Sequence, residues 1–330
     1  MKNIVIIGGG TGTFTLLAGL RKFPSNNSVI VSPADDGGST GILRRELNVM
    51  PPGDIRQCLV GLSYTEPEMR DLFLYRFATG SLKGHTVGNI IIAALEKITG
   101  RSERAIALAA KMLNVRGEVM PAMLVPARLS ATLKNGAKVI GEHAVDEPAK
   151  PRISPIASLA LTPSSPANPR ALAAIKKADV IIFGPGDLFT SILPNILARG
   201  IREAILKSPA KKILVTNIMT KRGQTDRFLA SDFVITLNQY LASGKIKSVI
   251  DTAVVNTKKP NPKWLAHYKK EGALFVEPDI DRIETTDAAA ITGDFLSSHT
   301  VQKTAGDTLT RSFLRHDSDK TAQAIWKLIS

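Results

Sequence analysis

The chain has 330 residues, 44% of them hydrophobic, and a formal net charge of +14 at neutral pH. This length suits one large α/β domain, or one such domain with a smaller unit, and the ordinary apolar content predicts a soluble globular protein. No run approaches the ~18 apolar residues of a membrane-spanning helix. A single cysteine, Cys58, excludes an intrachain disulfide and a cysteine-based metal site, so a reducing cytoplasm is the expected compartment.

The positive charge raises the question of nucleic-acid binding. The basic residues occur as scattered pairs, such as Lys176-Lys177 and Lys269-Lys270, and aromatic residues do not alternate with them as a base-stacking surface requires. A solvated basic surface that attracts anionic metabolites is the favoured interpretation. No nucleic-acid partner is therefore expected.

The chain begins with an apolar run, residues 4–7, followed by a glycine-rich turn at 8–13. This pattern predicts a buried central strand that leads into a turn, and the apolar spacing of residues 14–22 predicts a helix after it. Free N–H groups and the positive end of a helix dipole then meet at one point, an arrangement that attracts phosphate. Thr13 replaces the third glycine of a dinucleotide fingerprint, which argues against a nicotinamide cofactor. A tight turn without a ligand is the structural alternative.

The next predicted strand, residues 28–32, leads into the loop 33–41, in which Asp35 and Asp36 precede two glycines. Ligands bind at this carboxyl edge of a parallel sheet, and Asp35 lies about where a dinucleotide-binding fold places the acid that binds ribose hydroxyls. Asp35 and Asp36 together instead suit a hard divalent cation such as Mg²⁺. An acidic turn with Ser39 as a helix cap is the structural alternative.

Two further loops carry polar residues at predicted helix starts. The prolines and glycine of residues 51–53 fix a sharp entry into a helix, with Asp54 as its expected N-cap. Arg56 in the first turn opposes the helix dipole, which makes it a candidate phosphate partner. His85 and Asn89 lie where another loop enters an apolar helix, and such side chains suit binding, catalysis or capping.

Residues 117–163 differ from the rest of the chain in their pattern of apolar and polar residues. Short runs of alternating apolar and polar residues flank Asn135-Gly136, which is a strong hairpin signal. We predict a β-rich antiparallel insert here, which covers one side of the main sheet. The nucleotide-binding core then comprises residues 1–116 and 164–330.

The α/β alternation resumes after the insert. A predicted buried strand, residues 179–183, leads into a second glycine loop at 184–191 and then into a helix near Pro194. This is a second strand–turn–helix unit of the ligand-binding type. A further predicted strand, residues 212–217, ends at Asn217. The expected fold is a doubly wound, mostly parallel Rossmann-like α/β sheet with a smaller β-rich insert.

Several motifs occur in one order along the chain. They are Gly8-Gly9-Gly10-Thr11-Gly12, the loop 34–41, Pro52-Gly53-Asp54-Ile55-Arg56, the stretch 84–89, the loop 184–195, Asn217-Ile218-Met219-Thr220 with Thr225-Asp226, and Arg315-His316-Asp317. Together they resemble the CofD/YvcK family nearly from end to end. The resemblance implies a doubly wound α/β core with an inserted β region, in agreement with the pattern of strands and glycine loops.

The resemblance implies one of two kinds of function. One branch of the family comprises 2-phospho-L-lactate transferases, which use a nucleotide-activated phospholactate, a deazaflavin precursor and a divalent metal. The other comprises bacterial YvcK-type proteins, called gluconeogenesis factors, associated with cell shape, wall metabolism and UDP-sugar binding. The loop 186–195 and the stretch 51–56 are closer to the YvcK branch. One departure from that branch is Lys221-Arg222-Gly223-Gln224 before Thr225-Asp226, where a Pro-Gly-Glu-like sequence is expected, and this puts an acidic role at that point in doubt.

The leading hypothesis is a cytoplasmic UDP-sugar-binding regulator, for a ligand like UDP-GlcNAc, that links gluconeogenic carbon metabolism to cell-wall synthesis and cell shape. Binding then requires no cofactor, and a homo-oligomer is compatible with it. The alternative is a Mg²⁺-dependent transferase of the 2-phospho-L-lactate transferase type, with the metal on Asp35 and Asp36. No catalytic residue is assigned. The residues expected to bind the nucleotide and its phosphates are Gly9, Gly10, Thr11, Gly12, Thr13, Asp35, Gly38, Ser39, Arg56, Asn89, Gly184, Gly186, Asp187, Ser191 and Asn217.

Overall fold

The computed structural model describes residues 1–148, 154–242, 248–298 and 313–330. The strands in these ranges are β1 (Lys2–Ile7), β2 (Ser25–Val31), β3 (Glu118–Pro121), β4 (Arg128–Leu133), β5 (Lys138–Ile140), β6 (Ile156–Thr162), β7 (Val180–Phe183), β8 (Lys211–Val215), β9 (Thr252–Asn256) and β10 (Ala289–Gly293).

The helices alternate with these strands along most of the chain. They are α1 (Gly10–Leu20), α2 (Gly38–Leu47), α3 (Pro52–Gly61), α4 (Pro67–Leu74), α5 (Val87–Thr99), α6 (Ser102–Met112), α7 (Glu142–Asp146), α8 (Pro169–Lys177), α9 (Leu193–Ile196), α10 (Ile201–Lys207), α11 (Ala230–Ala242), α12 (Pro262–Lys270), α13 (Ile280–Glu284) and α14 (Ser318–Ile329). A π-helical turn, Leu188–Ile192, leads into α9. No helix in the described ranges is long and apolar enough to cross a bilayer.

The main sheet has seven strands in the order β3-β2-β1-β7-β8-β9-β10, and its strand pairs are parallel. The chain runs outward from β1 to β3 and then resumes on the other side of β1 at β7, so the strand order reverses between β1 and β7. Backbone hydrogen bonds continue past both strand ends, from Gly8 N–H to the Ile30 carbonyl (3.1 Å) and from Gly184 N–H to the Ile7 carbonyl (3.0 Å). The doubly wound fold class is confirmed.

Both faces of the sheet are buried, as the continuous apolar run of β1 predicts for a central parallel strand. Successive side chains of a strand point to opposite faces. Ile4 and Ile6 accordingly pack on one side, in a core shared with α1, α3 and α14, and Val5 and Ile7 pack on the other. This two-sided core fixes the end of β1, from which the first glycine loop extends.

A smaller antiparallel sheet has the strand order β5-β4-β6. The turn between β4 and β5 contains Gly136 at a φ of +86°, which favours glycine, and the predicted Asn135-Gly136 hairpin is confirmed. Residues 118–121 were expected in the β-rich insert, but as β3 they pair with β2 at the edge of the main sheet. The antiparallel strands therefore begin at Arg128, and the assignment of residues 117–163 to one insert is wrong at its start. The division into domains otherwise stays a prediction.

Two capping predictions are wrong. The helix containing Asp54 begins at Pro52, with Pro51 as its N-cap, because proline is well tolerated in the first turn of a helix. Asp54 lies in that first turn, where a carboxylate complements the helix dipole. Ser39 lies inside α2, whose N-cap is Gly37. Both side chains are therefore available for contacts at the carboxyl edge of the sheet.

Candidate functional site

A cavity of about 660 Å³ opens at the carboxyl edge of the main sheet, a volume typical of small-molecule sites. It is lined by twelve of the predicted binding residues: Gly9, Gly10, Thr11, Gly12, Asp35, Ser39, Arg56, Asn89, Gly186, Asp187, Ser191 and Asn217. Thr13, Gly38, Gly184 and Asp36 do not line the cavity. The strand order reverses at this edge, which is where ligands bind in doubly wound sheets.

The two glycine loops touch each other across the gap between β1 and β7. A Cβ atom at Gly12 would overlap the Pro185 carbonyl, and one at Gly186 would lie 3.5 Å from the Gly9 carbonyl oxygen. The fully buried Thr13 donates a hydrogen bond to the Pro185 carbonyl (3.3 Å). The residue that replaces the third glycine of the fingerprint thus joins the two loops instead of facing the cavity.

Asp54 packs directly on the first glycine loop. A Cβ atom at Gly9 would overlap the Asp54 carboxylate, whereas the Gly9 φ of −158° is ordinary extended backbone. Glycine is therefore needed at this position for space. Sequence reasoning treated Asp54 only as a cap, although it also lines the cavity.

A chain of hydrogen bonds connects three of the predicted residues. Arg56 Nε donates to Asn89 Oδ1 (2.8 Å), and Asn89 Nδ2 donates to Ser39 Oγ (3.2 Å). Ser39 Oγ also lies 3.1 Å from His85 Nδ1, and the tautomer of the histidine decides which of the two atoms donates. Arg56 is only 4% exposed. Helices α2, α3 and α5 thus hold a buried guanidinium and two neutral polar side chains at one wall of the cavity.

The two adjacent carboxylates of the first acidic loop point in different directions. Asp35 lines the cavity, and its Oδ1 accepts a hydrogen bond from Gly37 N–H (3.0 Å). Asp36 Oδ1 instead accepts from His143 N–H (2.8 Å) at the N-terminus of α7, where a helix dipole favours negative charge. Among the described residues no group of three histidines, cysteines or acids is arranged to hold a metal. The carboxylates of Asp35 and Asp36 thus have different hydrogen-bond partners, and their assignment to Mg²⁺ stays a prediction.

Helix α7 of the insert supplies acids that the sequence analysis did not assign to the site. Glu142 and Asp146 both line the cavity. Burial raises the pKa of Glu142 well above its usual range, and the charges of Asp35 and Asp146 raise it further. The carboxyl group of Glu142 therefore loses its proton less readily than that of an exposed glutamate.

Lys221 connects α7 with the second glycine loop. Its Nζ lies 3.1 Å from Asp146 and 3.4 Å from Asp187. Burial lowers the pKa of Lys221, but the two carboxylates outweigh this and raise it. Burial raises the pKa of Asp187 to about 6 against the effect of Lys221. Burial also raises the pKa of Asp146, but the charge of Lys221 and the hydrogen bonds to the carboxylate lower it more, so the pKa of Asp146 lies below its usual value. Gln224, which stands where the family pattern suggested an acid, donates a hydrogen bond to Asp146 (2.9 Å).

The end of β8 contributes another wall. Strand β8 ends at Val215, two residues before Asn217, and Asn217 lines the cavity. His316, from the segment before α14, lines the same cavity. His316 was quoted only as part of a family motif, and its long separation from Asn217 in the sequence gave no signal that both line one cavity. Burial lowers the pKa of His316 to about 4, so the imidazole is neutral at pH 7.

These features define a doubly wound α/β protein with its cavity at the topological switch point, the arrangement in which this class of fold binds nucleotides. The family model described as 2-phospho-L-lactate transferase CofD matches residues 4–296. The chain belongs to the CofD family, as the order of its motifs predicted.

Curated relatives and a solved structure agree with this membership. The chain is 42% identical to a putative gluconeogenesis factor of Thermotoga maritima, over 98% of both chains. It is 39% identical to the gluconeogenesis factor of Bacillus subtilis, over 99% of this chain and 98% of that one. A crystal structure of a UPF0052 family protein from Bacillus halodurans has a TM-score of 0.88 at 38% identity and covers 98% of both chains.

Proposed function

We propose that this protein is a regulator of the YvcK type that binds a UDP-sugar similar to UDP-GlcNAc and links carbon metabolism to cell-wall synthesis and cell shape. The observation that carries the proposal is the contact between the two glycine loops at the switch point, with the cavity directly beyond them. Relatives that match nearly the whole chain are named gluconeogenesis factors, which supports a role in carbon metabolism.

The proposal assigns the diphosphate to the space between the two glycine loops. Helix α1 begins at Gly10, so the N–H groups of its first turn have no partner within the helix and suit phosphate oxygens. The buried Arg56 supplies positive charge on the same cavity wall. Asp35 lies at the end of β2, where folds of this class bind ribose hydroxyls. Glu142 of α7 lines the same cavity and offers its carboxyl group for a hydrogen bond to the ligand.

A regulator needs specific binding without turnover, and the proposal assigns no catalytic group. It places the protein in the cytoplasm, where Cys58, a buried free thiol, stays reduced. Binding is proposed to need no metal, since Asp36 is engaged with α7.

Thermal shift and calorimetry test the proposal with UDP-GlcNAc, UDP, NADH, and GDP with and without Mg²⁺. A ligand at a hundredfold its Kd adds about 2.7 kcal/mol to the free energy of unfolding. We expect UDP-GlcNAc to stabilise the protein without metal and NADH to have no effect. Stabilisation by GDP with Mg²⁺, together with none by UDP-GlcNAc, would overturn the proposal in favour of a metal-dependent transferase.

A further inference from the structure

Two buried atoms that can accept hydrogen bonds belong to residues that line the cavity and have no hydrogen-bond partner among the described residues. They are Asn217 Oδ1 and His316 Nε2, and the His316 residue is only 7% exposed. Native proteins rarely leave a buried polar atom unpaired, because it has lost its water without gaining a partner. Two such atoms beside one cavity therefore indicate that a ligand supplies the missing hydrogen bonds.

The backbone around both side chains is held in place. Asn217 follows Thr216, whose N–H donates to the Val254 carbonyl (3.1 Å) beyond the end of β8. The segment leading to His316 is fixed by Tyr268 of α12, whose hydroxyl oxygen accepts from Phe313 N–H (2.8 Å) and from the next N–H in the chain (3.0 Å). A ligand thus meets a preformed pair of groups.

Both atoms act as acceptors. The neutral imidazole of His316 carries one proton, and the Thr216 backbone opposes the fall in its pKa, as a carbonyl facing a ring N–H does. Since Nε2 has no partner, the proton is assigned to Nδ1, and the lone pair of Nε2 is left to accept a hydrogen bond. The amide oxygen of Asn217 accepts in any protonation state.

The sheet order places these acceptors on a particular side of the ligand. Asp35 follows β2, whereas Asn217 follows β8, and β2 and β8 lie on opposite sides of the β1–β7 pair. A bipartite ligand whose diphosphate lies at the switch point and whose ribose reaches Asp35 has its second half on the β8 side. Asn217 and His316 therefore face the group attached beyond the diphosphate.

We propose that Asn217 and His316 form a subsite for hydrogen-bond donors, either hydroxyl or amide N–H, on the group attached to the terminal phosphate of a nucleoside diphosphate. The inference rests on the proposed function and specifies its ligand class as nucleotides with a hydroxylated or amide-bearing sugar. Phosphate oxygens are acceptors at neutral pH and cannot satisfy these atoms. The N–H of a nucleotide base is the other source of a donor, and the experiment distinguishes the two.

Isothermal titration calorimetry with UDP-GlcNAc and with UDP tests the subsite on the wild-type protein, His316→Phe and Asn217→Leu. Each substitution keeps the approximate shape of the side chain and removes its hydrogen-bond acceptor. We expect about 10-fold to 100-fold weaker UDP-GlcNAc binding, the usual effect of leaving a donor unpaired, and a change in UDP affinity of less than about 3-fold. His316→Gln, which retains an acceptor, should recover part of the loss.

Thr321→Val is the matched control. Thr321 is fully buried and its hydroxyl also has no partner among the described residues, but it does not line the cavity. Its replacement should leave both affinities unchanged. The ¹⁵N resonance of His316 Nε2 in the wild-type protein provides a readout without mutation, and it should move with UDP-GlcNAc but not with UDP.

The outcomes separate the subsite from the proposed function. If the wild-type protein binds UDP-GlcNAc but folded His316→Phe binds it equally well, or the Nε2 resonance does not move, the subsite is overturned and the proposed function stands. Equal weakening of UDP and UDP-GlcNAc would assign the acceptors to the base and overturn their placement on the sugar. A wild-type protein that binds neither ligand overturns the proposed function, and the subsite with it.

Discussion

The Lys221 ammonium lies 3.4 Å from the Asp187 carboxylate and joins the loop after β8 to the second glycine loop. It also lies 3.1 Å from Asp146 of α7. Gln224 and Thr190 donate further hydrogen bonds to Asp146, at 2.9 and 3.2 Å. One cation and its neighbours thus connect two loops of the main sheet with the insert.

Replacement of Lys221 by methionine should destabilise the protein, because two carboxylates then face each other without a cation. Its side chain is 27% exposed, so we expect a loss of roughly 1–3 kcal/mol in the free energy of unfolding, between the values for surface and buried pairs. Urea denaturation measures it. Lys259→Met is the control, since the Lys259–Glu277 pair is 60% and 53% exposed. Equal effects of the two substitutions would contradict a structural role for Lys221.

The two glycine loops should respond differently to added methyl groups. Gly12→Ala places a Cβ atom against the rigid Pro185 carbonyl, and overpacking of this kind costs about 1–3 kcal/mol of stability. At Gly186 the nearest atom to an added Cβ is Ser191 Cβ at 3.4 Å, an ordinary contact. Gly186→Ala should therefore keep wild-type stability but weaken UDP-GlcNAc binding, because its methyl group adds bulk to a loop that lines the cavity. Thermal denaturation and calorimetry measure the two effects, and unimpaired binding by Gly186→Ala would argue against diphosphate between the loops.

Substitution of Asp36 tests whether it belongs to a metal site or to the insert. Asp36→Ala removes the acceptor for His143 N–H at the start of α7, and loss of such a cap costs about 0.5–2 kcal/mol. UDP-GlcNAc binding without metal should survive this change. Asp71→Ala, at an exposed position, serves as the control for loss of a negative charge. A strict Mg²⁺ requirement for binding that disappears in Asp36→Ala would restore the metal-site interpretation.

His316 predicts a pH dependence of stability. Its pKa of about 4 in the folded protein lies below the ordinary value of ~6.5, so the unfolded chain takes up the proton more readily between these values. The contribution of His316 to the free energy of unfolding is fully present above pH 6.5 and is lost as the pH falls towards 4. The loss from pH 7 to pH 5 amounts to about 2 kcal/mol.

Urea denaturation at the two pH values measures this loss. The wild-type protein and Thr321→Val should lose about 2 kcal/mol more than His316→Phe does on acidification. The comparison uses changes with pH, so the different absolute stabilities of the variants cancel. A loss in His316→Phe as large as in the wild-type protein would show that another group titrates.

The local signals of the sequence predicted the parts of the fold that local sterics determine. The apolar run before Gly8, the strand before Gly184 and the Asn135-Gly136 turn each specify their own conformation, and all three are present. Strand β3 was assigned to the insert because it has only four residues and adjoins the point where the pattern of apolar and polar residues changes. Its pairing with β2 depends on a distant partner that no pattern within 118–121 identifies.

The rest of the site could not be predicted because its contacts are remote in the sequence. Lys221 and Asp146 are 75 residues apart, and no periodicity relates them. The directions of Asp35 and Asp36 depend on where α7 lies, although the two residues are adjacent. His316 and Asn217 line one cavity, and the segment leading to His316 is held on α12 by Tyr268. A sequence shows which side chains can bind, but the packing of the chain decides which of them meet.

The position of α7 has a consequence for communication with other molecules. Glu142 and His143 line the cavity, whereas Ala144 of the same short helix is exposed and does not line it. Lys221 and Asp36 hold this helix at its two ends. A ligand that changes the orientation of Glu142 therefore acts on an element that also has a side accessible to a binding protein. The vacant and occupied states of the cavity would differ at the outer surface without any movement of the main sheet.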